Sequence, residues 1–442
     1  MEENKLAQQF DFRKLMKFSV PTMVMMVFMS LYQTTDGIFV AYFVGDLGLT
    51  AFNIVYPFIS VVIAVAVMFT TGSSAVIALN MGLGEHRMAK ENFTFIILAA
   101  TILTAMISIL GLIFIDPMIA LFGATPKIYK MCYDYLLIMI ISAPLCTLQI
   151  LFQTFFVTSG EPRIGLFLTV LSGVANMGLD ALFMGTMKMG MRGAALATSI
   201  GFTITACYGI YYFWTHRNGT LYFVRPKFRG RVLLRSCLNG SSEMVNNMSV
   251  AVTTLLFNLV GLHYLKEEGV AAISIILYSQ YVMTAVFMGY SGGVAPIFSF
   301  KYGAGDHKQI KKLFKISMIF VSTLSVIVCA MSYVLARPIG IVFASGSRNV
   351  LELSVHGFWL FAPSFLFTGM NIFTSALFTA FSNGLVSGFL SFMRTFVLLV
   401  AALLLLPFFI GPDGIWLAVP LAEGLAVVIS LAFLRKASWL KE

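Results

Sequence analysis

Four oxygen-bearing side chains stand in stretches that are otherwise almost pure hydrocarbon: Asp36, Asn176, Asp180 and Thr198. Asn176 and Asp180 are four residues apart, so a helix carries both on one face. An ionised group inside a bilayer costs about 2.5–3.5 kcal/mol on insertion scales, so each needs a reason to be there. Two carboxylates that meet in a dry lobe repel one another unless one holds a proton or a cation sits between them. Either state is a device for coupling an ion to a change of shape. An oxygen-only shell suits a hard cation, which makes Na+ at Asp36, Asn176, Asp180 and Thr198 an alternative to a proton. Thr198 carries the least weight, because a threonine hydroxyl commonly bonds its own helix backbone.

Other polar groups fall inside apolar runs and are secondary candidates: Glu243, Asn258, Arg394 and Glu423. Glu243, followed by Asn246 and Asn247, reads as lying near the start of its span. There it is either a second proton or substrate-cation site, or a carboxylate favoured by the helix dipole. Glu423 and Arg394 can pair within the membrane, as opposite charges in a bundle interior do. Asp134 and His356 fall close to span ends. The five cysteines lie at or near membrane depth without paired spacing and read as small apolar packing residues. No nucleophile–base pair or HExxH pattern occurs, so neither a catalytic residue nor a cofactor is expected, apart from a coupling ion.

The elements that must position these groups are membrane helices. The chain is 59% hydrophobic and only 11% charged, well below the roughly 25% charged share of a soluble domain. A spanning helix needs about 20 apolar residues. Twelve such spans are expected, near 17–41, 51–79, 93–115, 131–157, 162–184, 192–214, 238–262, 270–300, 313–335, 350–380, 385–410 and 414–435. The fold class is therefore an all-α polytopic membrane protein. With both termini on one side, segments on that side hold 21 Lys and Arg against 7 on the other, with Arg394 inside a span. That bias expects both termini and the loop 216–235 in the cytoplasm. The net charge of +10 is first a topology signal, and a 20-residue basic linker is too short to be a nucleic-acid domain. The polar N-terminus does not resemble a cleavable signal peptide.

The chain also repeats itself. Gly48 matches Gly269, Gly72 matches Gly293, Gly84 matches Gly305, His86 matches His307, Pro117 matches Pro338 and Gly193 matches Gly414. Each pair is 221 positions apart (269 − 48 for the first), half of 442. Six spans per half is an even number, so the two lobes are a parallel repeat about an axis along the membrane normal. The expected division is an N-terminal lobe 1–215, a cytoplasmic linker 216–235 and a C-terminal lobe 236–442. Two such lobes can rock and expose a cavity to one side at a time. The polar groups are not repeated: Asp36 corresponds to about Phe257–Asn258, Asn176 and Asp180 to the apolar run 397–409, and Thr198 to Val419.

The ordered set of Pro21 and Asp36, SAPLCTLQILFQTFFVTSGEPR (142–163), ANMGLDALFMG (175–185) and Gly-flanked loops after spans two and eight resembles the multidrug and toxic compound extrusion (MATE) family. The likeness covers about residues 15–435. The first-lobe pattern is most similar to the prokaryotic DinF-like branch, where an aspartate in span one and an Asn-x-x-x-Asp in span five bind the coupling ion. The resemblance implies that Asp36, Asn176, Asp180 and Thr198 hold a proton or Na+, and that a bend at Pro21 accompanies its uptake or release. It implies a secondary antiporter of a bacterial cytoplasmic membrane that exports amphipathic, cationic organic compounds. The NorM-like branch instead has an acid deeper in span seven, where this chain has Val250. A small organic substrate and membrane lipid are the expected partners, nucleic acid is not, and a monomer is expected. The alternatives are a lipid-linked saccharide flippase, which would favour a basic cavity where this chain has Arg394 alone, and an uncoupled channel or receptor.

Overall fold

A computed structural model of the chain describes residues 4–344 and 347–437. Residues 1–3 of the expected first lobe and 438–442 of the expected second therefore lie outside the described residues. Among the described residues the regular structure is helical throughout, as a lipid environment requires of a chain that must satisfy its own backbone. In order the helices are α1 (Phe12–Phe43), α2 (Asp46–Gly82), α3 (His86–Ile113), α4 (Ile115–Leu121), α5 (Tyr129–Thr158), α6 (Pro162–Asp180) and α7 (Met191–Thr215). They continue as α8 (Gly230–Gly303), α9 (His307–Phe343), α10 (Arg348–Phe361), α11 (Phe365–Ala380), α12 (Gly384–Phe392), α13 (Leu399–Ile410) and α14 (Asp413–Lys436). Short 3₁₀ or π segments join α10 to α11 and α12 to α13, so each pair makes one crossing.

Eleven helical runs among the described residues are long and apolar enough to cross a membrane. The longest, α8, contains two crossings, because Lys266 takes φ 60° and ψ −157° and breaks it. The twelve expected spans are thus all present, though the seventh and eighth share one run. The expected linker 216–235 is too long by its last six residues: helix α8 already begins at Gly230, leaving 216–229 outside helices. The seventh span likewise starts earlier than the hydropathy suggested, with consequences for Glu243 below.

The two lobes meet along α1, α2 and α8. α2 and α8 also approach closely at their ends, on the face where the described chain begins and ends. A Cβ at Gly82 would lie 2.1 Å from the Phe300 carbonyl oxygen, and one at Gly303 would lie 2.3 Å from that of Leu79. The repeat offset relates these two glycines (82 + 221 = 303), so the seal is symmetric, and it exists because neither residue has a side chain. The segment before α1 reinforces it. Leu6 and Phe10 are fully buried. Lys301 Nζ donates to the Ala7 carbonyl at 2.9 Å, Gln309 Nε2 to that of Phe10 at 2.7 Å, and Gln9 Nε2 to Asp306 at 3.1 Å. Within the first lobe, Lys5 pairs with Glu161.

Candidate functional site

Asp36 lies in the last two turns of α1, Asn176 and Asp180 close α6, and Thr198 sits two turns into α7. Three helices thus bring all four residues together. α6 starts with Pro162 in its first turn, where a missing N–H costs nothing. It runs apolar to Asp180 and then widens into a π-helical segment, Ala181–Thr186. Such a segment re-aims side chains and recurs at functional positions. Asn176 and Asp180 are 2% and 1% exposed. An apolar cluster including Val40, Val55, Tyr135, Ile140, Met184 and Ala194 walls the site.

The carboxyls of Asp36 and Asp180 are within hydrogen-bonding reach of each other. The Asn176 amide, oriented by its partners, donates to Asp36 Oδ1 at 2.8 Å and accepts from the Thr198 backbone N–H at 3.2 Å. The Thr198 hydroxyl stands 3.4 Å from that amide and donates to the Ala194 carbonyl at 3.1 Å. Tyr32 and Tyr135 lie next to the acid pair. One turn before Asp36, Gln33 Oε1 accepts a 2.7 Å bond from Tyr281 of the other lobe. With its nitrogen on Asp36 and its oxygen on the Thr198 N–H, the Asn176 amide turns its oxygen away from the carboxyls. The arrangement suits a proton shared by two acids. Na+ coordination by all four oxygens needs the Asn176 amide turned over.

Pro21 is buried in the interior of α1, which is continuous through it. The ring removes the N–H that would reach the Lys17 carbonyl. Opposite, α8 offers glycines: a Cβ at Gly289 would fall 2.5 Å from Met23 Cα, so α1 lies flush on the second lobe at its weakest point.

The secondary candidates take a different form from the one expected. Glu243 is 13 residues inside α8 (243 − 230), about 20 Å along the helix, so a helix-end dipole does not account for it. Its Oε2 is 3.5 Å from Asn246 Nδ2, and Asn246 Oδ1 is 3.5 Å from Arg394 Nη2. The Arg394–Glu423 pair forms, but loosely, at 4.0 Å. The stronger partner of Glu423 is Asn371, whose Nδ2 donates to its Oε2 at 2.6 Å and to its carbonyl at 2.9 Å. Ser430 completes this chain by donating to Asn371 Oδ1 at 3.0 Å. Asn258 lies apart, its Oδ1 buried without a partner. Val250 is 62% exposed, so the span-seven position of the NorM-like branch is an apolar surface position here. Asp134 pairs with Arg192 at 2.8 Å and His356 with Asp413 at 2.8 Å, both at span ends as expected. Asn371, Gln33 and Tyr281 are not among the sequence candidates; Asn371 and Gln33 carry the signal of an amide inside an apolar run, whereas Tyr281 carries none.

The MatE family profile matches the chain twice, over residues 21–182 and 244–404, once in each half of the repeat. A protein named multidrug export protein MepA in Staphylococcus saprophyticus is 24% identical over 372 residues, 81% of each chain. The protein of that name in Staphylococcus aureus is 20% identical over 425 residues, 95% of this chain and 92% of its own. A solved structure described as the outward-facing conformation of a multidrug resistance MATE family transporter superposes with a TM-score of 0.93 at 20% identity, covering 100% of this chain and 99% of its own.

Proposed function

Since this chain belongs to the MatE family, we propose that it is a multidrug exporter that expels amphipathic, cationic organic compounds in exchange for protons. The observation that carries the reading is the opposed carboxyl pair Asp36–Asp180, with Asn176 donating to Asp36 at 2.8 Å. Two adjacent acids in an apolar pocket hold one proton far more easily than none, because the proton removes the repulsion between them. The site lies on α1, the helix that also packs on α8 of the other lobe, so a change in its protonation acts on the lobe contact. Pro21 supplies the place where α1 bends. Sealing by Gly82 and Gly303 on the termini face fits a state open to the opposite side. The names of the staphylococcal relatives support multidrug export as the activity.

The cycle then has two halves. The protonated pair keeps α1 as it stands, and substrate entering from the termini face requires the glycine seal to part and the N-terminal segment to release Asp306 and Lys301. With both termini cytoplasmic, as the basic bias supports, that face is the entry side of a bacterial cytoplasmic membrane. The test uses purified protein in liposomes, a fluorescent cationic dye, and proton and Na+ gradients imposed separately. Dye movement should follow the proton gradient and vanish in Asp36→Asn and Asp180→Asn while expression and folding persist. Normal efflux by both variants sinks the site; movement driven only by Na+ assigns the other ion.

A further inference from the structure

Residues 216–229 join the lobes, and their hydrogen bonds and ion pairs among the described residues fasten them to the first lobe. Leu221 is buried, the Phe223 ring packs against Phe93 at 5.4 Å, and the Val224 N–H donates to Thr94 Oγ1 at 3.1 Å. After Val224 the strap turns basic, with Arg225, Lys227, Arg229 and Arg231, and no acidic residue lies between His216 and Arg235. Its anchor is Glu91 near the head of α3. This one carboxylate, 5% exposed, receives Arg229 Nη2 at 2.7 Å, Arg87 Nε at 3.1 Å and Lys227 Nζ at 3.3 Å. These residues line an open basin of about 380 Å³ with the α2–α3 turn. With Glu85 also at its rim, three cations and two carboxylates leave one positive charge over.

Between the cations stands Phe228, 84% exposed, its ring meeting Phe95 edge-on at 5.5 Å. Phe95 is nine residues into α3 (95 − 86), about 14 Å from its head. Glu91 is four residues before Phe95 (95 − 91), about 6 Å nearer the head, so the exposed ring meets α3 one turn deeper than the cations do. An aromatic held in the acyl layer beneath a cluster of arginines matches a lipid with an anionic head.

We infer that the strap binds an anionic phospholipid of the leaflet on the termini face, with its phosphate against Arg87, Lys227 and Arg229 and an acyl chain along Phe228. Guanidinium groups suit a phosphodiester because their planar donors engage two of its oxygens at once. The inference does not depend on what the protein transports.

The test follows thermal unfolding of the full chain in neutral detergent, titrated with dioctanoyl phosphatidylglycerol, dioctanoyl phosphatidylcholine or inorganic phosphate. Phosphatidylglycerol should raise Tm at concentrations where the other two do not. Arg87→Gln with Lys227→Gln removes two of the three cations, keeps Arg229 on Glu91, and should weaken that response by roughly 25-fold, about fivefold per cation. Phe228→Ala should weaken it with no change of charge, and serves alone if the double variant does not fold. Equal responses to the two lipids, an equal response to inorganic phosphate, or variants that respond like the parent would overturn the site.

Discussion

Under the proposed proton exchange, a single carboxyl pair would set the arithmetic of transport. The acids of Asp36 and Asp180 share one site, with Asn176 bonding Asp36 at 2.8 Å, so one exchangeable proton per cycle is what this geometry supports. Exchange of one proton for one monovalent organic cation moves no net charge. Membrane potential then contributes nothing, and the pH gradient supplies about 1.36 kcal/mol per unit. That corresponds to about a tenfold substrate gradient per pH unit. Two protons per cycle would give about a hundredfold per pH unit, plus roughly 2.3 kcal/mol for each 100 mV. The assay is steady-state accumulation of a monovalent dye in proteoliposomes, with pH difference and potassium diffusion potential set independently. The expected result is a slope near tenfold per pH unit, no response to potential, and a ratio near one in Asp36→Asn. Accumulation that grows with potential would refute the single-proton reasoning and point to a second acid, Glu243 being the half-buried candidate in the other lobe.

Three further outcomes follow from the geometry. Asn371→Ala removes the 2.6 Å donor to buried Glu423 and should cost about 1.5–3 kcal/mol of stability, read by chemical or thermal unfolding in detergent; an unchanged transition would mean the Arg394 contact at 4.0 Å suffices. Asp306 lies outside the spans, and burial alone would raise its pKa. Hydrogen bonds from Gln9 and the Gln309 N–H, with the Lys301 ammonium, outweigh burial and hold it below the ordinary carboxylate value of 3.8. Its contribution is therefore present above about pH 4 and is lost as pH falls through the lower folded value; hydrogen exchange of residues 4–11 should accelerate in that acid range, and Asp306→Asn should abolish the pH dependence. Pro21→Ala restores the missing bond to Lys17, relieving a helix defect worth up to about 3 kcal/mol. Dye should still bind while turnover falls, and unchanged turnover would remove Pro21 from the conformational step.

Much of this molecule is already written along its chain. Length and apolar blocks dictate the twelve crossings, because a bilayer admits only helices or closed barrels. The offset of 221 residues dictates two related halves. The asymmetry of charge singles out Asp36, Asn176 and Asp180, since an acid among hydrocarbon is costly wherever the helix goes. Contacts between helices are another matter. Sequence spacing places Asn176 and Asp180 on one face, but only packing of α1 on α6 brings Asp36 against them and turns the Asn176 amide into a donor. The loose Arg394–Glu423 pair and the Asn371 bond that supersedes it depend on how α11, α12 and α14 lean together. So does the depth of Glu243, which hydropathy misplaced because the helix begins in a polar stretch at Gly230. Periodicity and transfer energy are properties of one segment and survive in its sequence. Which polar atoms satisfy one another is settled between segments, where a fraction of an ångström decides whether a bond exists.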